Sequence, residues 1–271
     1  MTTFKITLAY DGTGFVGWQR QASGTSIQGL LEDALRALDE RDVPVAGAGR
    51  TDAGVHALGQ VASFSMARTM APDALVRALN ARLPASVRVI AASEAPATFH
   101  ARFAARAKTY RYRIWNGATL NPFERDAVWH VAAALDVEQM DAAARLVEGR
   151  HDFAAFQAAG SARSTTEREV CSSRVVLMEN LSTTERTKDT EVKSGGEEFG
   201  GGGELIIYEI TGNGFLRHMV RTIVGTLVEI GRGRRPAEWM SEVLASRDRA
   251  QAGPTAPASG LFLVSVEYRA P

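Results

Sequence analysis

Residues 46–60, AGAGRTDAGVHALGQ, place one carboxylate among four glycines. Asp52 follows Arg50 by two residues and precedes His56 by four. A dinucleotide-binding loop would need glycine where Asp52 stands, since a carboxylate repels a pyrophosphate, and no Gly-Lys-Ser/Thr of a triphosphate loop follows. Two interpretations remain open. Asp52 caps a loop with Arg50 as its partner, or it is a nucleophile whose neighbouring glycines let a substrate approach closely.

Metal chemistry is poorly supported by this stretch. Asp52 and His56 could lie on one helical face, but no third ligand is nearby. Cys171 is the only cysteine, so it excludes an internal disulfide and a cysteine-based zinc cluster. Its position in a strand pattern predicts a buried, inert thiol.

Residues 101–113, ARFAARAKTYRYR, combine aromatic residues with basic ones and contain no acid. On a strand, Tyr110 and Tyr112 share one face and Arg111 the other. This composition suits phosphate contact and base stacking, or else a solvated strand with core tyrosines. The basic residues are Arg102, Arg106, Lys108, Arg111 and Arg113.

The stretch 215–231, FLRHMVRTIVGTLVEIG, predicts a strongly apolar helix with Arg217 and Arg221 on one face. A partly buried Arg221 needs a carboxylate partner, either Asp52 or another acid in a structural ion pair. Four of the five histidines are expected to pack or form hydrogen bonds rather than act as catalytic bases: His56, His100, His151 and His218.

The surrounding elements alternate strands with amphipathic helices. Thr25 and Gln28 form a capping box before a helix, Pro72 opens another, and Asp136 with Gln139 starts a third. A further short helix follows Pro236. Strands are predicted at 4–10, 60–66, 86–92, 108–115, 170–178, 204–211 and 261–268.

The fold class is therefore α+β, with two similar halves whose helices pack on mostly antiparallel sheets. We place the N-terminal domain at 1–104, with the Asp52 loop, and the C-terminal domain at 105–271. Residues 181–204 contain six acidic residues and a glycine run, which predicts a flexible insertion.

Composition limits the choice of function. The 271 residues carry no net charge, so nucleic acid would have to bind at a local basic patch. The N-terminus lacks a signal-peptide pattern, and no apolar run approaches the roughly 20 residues of a membrane span. We expect a soluble cytoplasmic protein that does not enter a membrane.

Taken together, these motifs resemble the tRNA pseudouridine synthase A (TruA type) family over nearly the whole chain. The Arg-Thr-Asp-Ala-Gly-Val-His block is the most specific element. The resemblance is carried by YDGTGFVGWQRQ (10–21), SIQGLLEDAL (26–35), AGRTDAGVHALGQVASF (48–64), LNARLP (79–84), FHARFAARAKTYRYRI (99–114), HDFAAF (151–156), GFLRHMVRTIVG (214–225) and APASGLFLVSVEY (256–268).

The resemblance implies a pseudouridine-synthase fold, with two ferredoxin-like or RRM-like halves around a central cleft. It also implies isomerisation of uridine to pseudouridine at positions 38, 39 and 40 of the tRNA anticodon stem-loop. Asp52 matches the catalytic aspartate, Tyr110 the tyrosine that stacks on the target base and is proposed as general base, and Arg221 the arginine that pairs with the aspartate. A homodimer that needs no cofactor is expected.

Further RNA contacts are predicted at Arg50, Arg102, Arg106, Arg111 and Arg217. The reaction exchanges an N1–C1′ bond for a C5–C1′ bond without redox change. Asp52 could attack C6 of the base, attack C1′ of the sugar, or assist a glycal route. Two other functions stay open: a catalytically silent tRNA-binding or RNA-folding protein, and a small-substrate hydrolase using Asp52 with His56.

Overall fold

The protein is described by a computed structural model covering residues 1–158, 160, 165–178 and 203–268. The strands of this part are β1 Thr2–Tyr10, β2 Ala46–Gly47, β3 His56–Met66, β4 Val87–Ala95, β5 Ala105–Gly117, β6 Trp129–Val131, β7 Gly149–Asp152, β8 Glu167–Met178, β9 Gly203–Gly212 and β10 Leu261–Tyr268. Its α-helices are α1 Ile27–Asp39, α2 Pro72–Asn80, α3 Val137–Arg145, α4 Met219–Gly231 and α5 Trp239–Ser246.

The strands form one sheet that runs through both halves of the chain, in the order β4-β1-β3-β10-β5-β9-β8-β7. Its pairs are antiparallel except for β10 with β3 and β6 with β5. The last strand, β10, joins the halves, since it lies between β3 and β5. It pairs with β3 only at Phe262–His56 and Leu263–Ala57. The α+β class with a mostly antiparallel sheet is confirmed.

The hydrophobic core is likewise continuous across the halves. Alternate residues of β1 are buried, including Phe4, Ile6 and Leu8, and they belong to the same cluster as Leu31 of α1 and Ile223 of α4. The burial of these residues follows from the period of two in the strands and the apolar stripes of the helices. The division at 104/105 remains a prediction.

Two predicted helix starts need correction. Ser26, not Thr25, caps α1, and its side chain accepts a hydrogen bond from the amide of Gly29. The helix predicted from residue 215 begins at Met219, because His218 adopts a left-handed conformation with φ 64°. Pro72 does open α2, and Asp136 caps α3 through the amide of Gln139.

Three other predictions concern the insertion, the burial of Cys171 and the absence of a membrane span. Most of the predicted insertion, 181–202, lies outside the described residues, and Gly203 and Glu204 belong to β9. Cys171 is exposed, so the prediction of a buried thiol was wrong. In the part of the chain that the structure describes, no helix has both the length and the apolarity to cross a membrane.

Candidate active site

The loop that carries Asp52 is held in place by hydrogen bonds to the two residues Gly49 and Thr51, which precede the carboxylate. The carbonyl of Thr51 accepts from the amide of Trp18 at 3.0 Å, and the Thr51 hydroxyl shares a 2.9 Å hydrogen bond with the Tyr10 hydroxyl. The side-chain amide of buried Gln60 donates to the carbonyl of Gly49 at 2.9 Å. These contacts anchor the loop to β1 and β3, so the direction of Asp52 is set by the sheet.

His56 secures the C-terminal end of this loop. Its Nδ1 lies 3.0 Å from the amide of Gly12 and 3.1 Å from Oδ1 of Asp11, and its Nε2 lies 3.1 Å from the carbonyl oxygen of Ser259. The ring also stacks on Phe262 with centroids 4.6 Å apart. His56 therefore joins three chain segments, and both ring nitrogens are engaged in hydrogen bonds rather than available to a metal.

The glycines of the loop have different physical roles. A side chain at Gly47 would run into the Trp18 ring, and one at Gly59 into the backbone of Val264. Gly54 adopts φ 76°, which favours glycine. Of these four glycines, only Gly49 faces the Tyr110 hydroxyl. The hypothesis that glycine leaves room for a substrate therefore concerns Gly49 and not the other three glycines.

The Asp52 carboxylate is surrounded by basic groups from the turn before α4 and from α4 itself. Arg221 Nη1 lies 3.6 Å from Oδ2, His218 Nε2 lies 3.5 Å from Oδ2, and Arg217 Nε lies 4.0 Å from Oδ1. The Asp52 side chain is 30% exposed and so remains open to a ligand. Arg50 is exposed and is not among its ion-pair partners, which argues against the simple cap.

Arg221 is held at two points besides its contact with Asp52. Its Nε donates to the carbonyl of Ala256 at 2.7 Å, and its own carbonyl accepts from the amide of Ala256 at 3.0 Å. A Cβ at Gly225, one turn later, would stand 1.7 Å from the carbonyl oxygen of Pro254. Close packing of α4 on the segment before β10 thus fixes the guanidinium that faces Asp52.

Tyr110 lies in the middle of β5, buried beside the loop. Its ring meets Phe215 edge to face at 5.1 Å, and its hydroxyl faces Gly49. Burial raises the pKa of Tyr110 well above its usual range, and the nearby Tyr10 and Asp52 add to this effect. The hydroxyl is therefore a neutral phenol at physiological pH.

The predicted RNA-contacting arginines fall into two groups. Arg50, Arg102 and Arg106 are exposed, and Arg102 lies 5.8 Å from the centroid of the exposed Phe103 ring. Arg111 lies on the face of β5 opposite Tyr110 and pairs with Glu209 at 2.9 Å. The geometry does not bring Arg111 to Asp52, and its role in RNA binding stays a prediction without structural support.

Sequence reasoning missed several members of the site. His218 was expected only to pack or form hydrogen bonds, yet it contacts Asp52. Because His218 lies about one helical turn before Arg221, the sequence could have indicated that both residues face the same carboxylate. Tyr10, Gln60 and Phe215 carried no local signal, because their contacts join residues distant in sequence.

No group of three or more histidine, cysteine, aspartate or glutamate residues within the described ranges is arranged to hold a metal ion. The site instead offers a carboxylate beside guanidinium groups, an aromatic ring and an imidazole. Such a set can position a nucleophile and transfer protons.

Comparison with known proteins agrees with this arrangement. A family model described as tRNA pseudouridine synthase matches residues 6–104 and 143–269. A tRNA pseudouridine synthase A of Myxococcus xanthus is 46% identical over 269 residues, covering 99% of this chain and 93% of that protein. Proteins of the same name from Syntrophotalea carbinolica and Moorella thermoacetica are 42% and 43% identical, each over 99% of this chain and over 97% and 100% of their own lengths.

Proposed function

The chain belongs to the tRNA pseudouridine synthase family, and we propose that it isomerises uridines 38, 39 and 40 of the tRNA anticodon stem-loop with Asp52 as nucleophile. It is an isomerase that converts uridine in tRNA to pseudouridine. The observation that carries the proposal is the Asp52 carboxylate, partly open to solvent and paired with Arg221 at 3.6 Å.

The reaction requires a group that detaches the base while the enzyme retains it. The N1–C1′ bond breaks, the base turns over, and C5 bonds to C1′. C5 then loses its proton and N1 gains one, so the overall change is an isomerisation. Asp52 supplies the nucleophile in this scheme, and the fixed guanidinium of Arg221 holds the carboxylate in position.

Tyr110 is proposed to contact the target base once it has left the stack. A base flipped out of RNA is commonly held against an aromatic ring. Its hydroxyl is also the candidate acceptor of the C5 proton. A neutral phenol is a weak proton acceptor, so the raised pKa of Tyr110 counts against the base role.

The exposed residues Arg50, Arg102 and Arg106 are proposed to contact phosphates. Arg217, whose Nε lies 4.0 Å from Oδ1 of Asp52, is proposed to contact RNA as well. We also propose a cytoplasmic homodimer in which one tRNA touches both subunits, as the family resemblance implies. Light scattering of the purified protein tests the dimer, for which the expected mass is twice that of the 29.2 kDa chain.

Tritium release tests the proposed activity directly. Transcripts labelled at C5 of uridine should lose tritium to water when C5 bonds to C1′. Label release should fall when positions 38–40 are replaced by cytidine, and remain when uridines elsewhere are replaced. Binding of tRNA without label release would instead support the catalytically silent RNA-binding protein, and turnover of a small substrate without RNA would support the hydrolase.

A further inference from the structure

His218 lies at the centre of the site, yet the roles proposed for Asp52, Tyr110 and Arg221 in the isomerisation do not involve it. Its Nε2 is 3.5 Å from Oδ2 of Asp52, the same oxygen that Arg221 approaches at 3.6 Å. The imidazole is one-quarter exposed. It is thus placed to influence the carboxylate and is not simply filling the core.

The backbone of His218 is held in an uncommon conformation. Its φ of 64° and ψ of −3° lie in the left-handed region, which is costly for a residue with a Cβ. Flanking hydrogen bonds define the turn: the amide of Ala158 donates to the carbonyl of Arg217 at 3.0 Å, and the amide of Thr222 donates to the carbonyl of His218 at 2.9 Å. This conformation brings the ring to Asp52 just before α4 begins.

Charged groups face the ring from each segment packed around it. Asp52 comes from its own loop, Arg217 from the turn, Arg221 from α4 and Arg249 from the segment before β10. Burial lowers the pKa of His218, the three arginines lower it further, and Asp52 alone opposes them. The ring is therefore neutral at physiological pH. Of the three basic side chains that approach the Asp52 carboxylate, only Arg217 and Arg221 carry a positive charge.

We propose that His218 is a positioning residue for Asp52. In its neutral form, Nε2–H is a weak donor that faces Oδ2 at 3.5 Å, while the other carboxylate oxygen stays available to the substrate. Protonation in acid turns this contact into an ion pair that holds the carboxylate more tightly and lowers the reaction rate. The proposal rests on the proposed function, because it requires Asp52 to act on the base.

A spectroscopic experiment tests the contact without any RNA. Nitrogen-15 NMR of labelled histidines in the full-length protein should show the neutral Nε2–H tautomer for His218, with a pKa below that of free histidine. Asp52→Asn should lower this pKa further because the attracting charge is lost, and Arg217→Gln should raise it. An unaltered His218 pKa in Asp52→Asn would overturn the proposal even if the enzyme were fully active.

A kinetic experiment tests the consequence for catalysis. The single-turnover rate of His218→Leu should fall about tenfold to a hundredfold at neutral pH, because the carboxylate loses its support. In His218→Gln the amide restores a neutral donor, so most of the rate should return. We expect the wild-type rate to decline as the pH falls through the pKa of His218. This decline should be absent in His218→Gln.

The matched control is His130→Gln in β6, whose Nε2 contacts the carbonyl of Gly117 and not the site. Its rate and pH profile should equal those of wild type. Equal losses in His218→Gln and His218→Leu, or a Gln variant with the wild-type pH profile, would contradict the positioning role. Absence of wild-type turnover together with the expected NMR shifts would refute the proposed function and leave the contact intact.

Discussion

Two sets of residues that we propose to act on tRNA differ in how firmly the protein holds them. The inner cluster comprises Asp52, Tyr110, His218 and Arg221, whose surroundings are largely protein. The basic rim is our name for the proposed RNA contacts Arg50, Arg102 and Arg106, which are exposed side chains. In the inner cluster the positions of the side chains are set by hydrogen bonds and packing, whereas the rim contributes charge with little fixed geometry. Changes in the cluster should therefore act on the chemical step, and changes in the rim on RNA affinity.

The largest effect is expected from Asp52→Asn, which keeps the shape of the side chain and removes its nucleophilicity. Pseudouridine formation should fall by at least about a thousandfold, while tRNA binding is largely retained. Single-turnover tritium release and filter binding measure the two quantities. Asp42→Asn, at an exposed position paired with Arg36, is the control and should leave both unchanged. Substantial residual turnover in Asp52→Asn would refute the nucleophile assignment.

The next largest effect is expected from Arg221→Ala, which we compare with Arg217→Ala because both arginines approach the Asp52 carboxylate. Arg221→Ala removes the donor to the Ala256 carbonyl and a guanidinium whose side chain is only 16% exposed. Leaving that carbonyl unsatisfied costs about 1–3 kcal/mol, and the melting temperature should fall by about 2–4 °C for each kcal/mol. The reaction rate should fall about a hundredfold because Asp52 is no longer held.

Arg217→Ala is the control for this change, because the Arg217 side chain is 60% exposed and reaches Asp52 only at 4.0 Å. It should leave the melting temperature unchanged, as expected for an exposed ion pair. Calorimetry on both variants measures the difference. Equal melting temperatures for the two would show that Arg221 is not held as the hydrogen bonds indicate.

Tyr110→Phe separates stacking from proton transfer within the inner cluster. The ring and its contact with Phe215 remain, so tRNA affinity and stability should be retained. Loss of the hydroxyl should lower the single-turnover rate about a hundredfold if it accepts the C5 proton. Full activity would assign Tyr110 a stacking role only.

Tyr208→Phe should change stability and not the reaction rate, which is the reverse of the result expected for Tyr110→Phe. Its buried hydroxyl shares a 3.0 Å hydrogen bond with Ser173 on the neighbouring strand, outside the site. Removing it should reduce the free energy of unfolding by about 1 kcal/mol without changing the rate. The two tyrosines together show whether a buried hydroxyl serves chemistry or stability.

Features that depend on local sequence could be predicted, whereas features that depend on contacts between distant segments could not. Alternation along β5 placed Tyr110 and Tyr112 on one face, because strand periodicity is local, and the structure shows that this face is buried. The start of α4 was misplaced, because the left-handed turn at His218 depends on contacts with a distant segment. The Arg111–Glu209 pair follows from the register of β5 with β9, which the sequence of either strand alone does not specify.

The smallest effects are expected at the basic rim, where the comparison with Arg111 is most direct. Arg102→Ala should weaken tRNA binding at low salt and reduce the slope of log affinity against log salt by about one, with the single-turnover rate at saturation unchanged. Arg111→Ala should leave the slope as in wild type, because its guanidinium is paired with Glu209 on the opposite face of β5. Filter binding across a salt series measures both slopes. A lower slope in Arg111→Ala and not in Arg102→Ala would place the RNA on the other face of the sheet, away from Asp52.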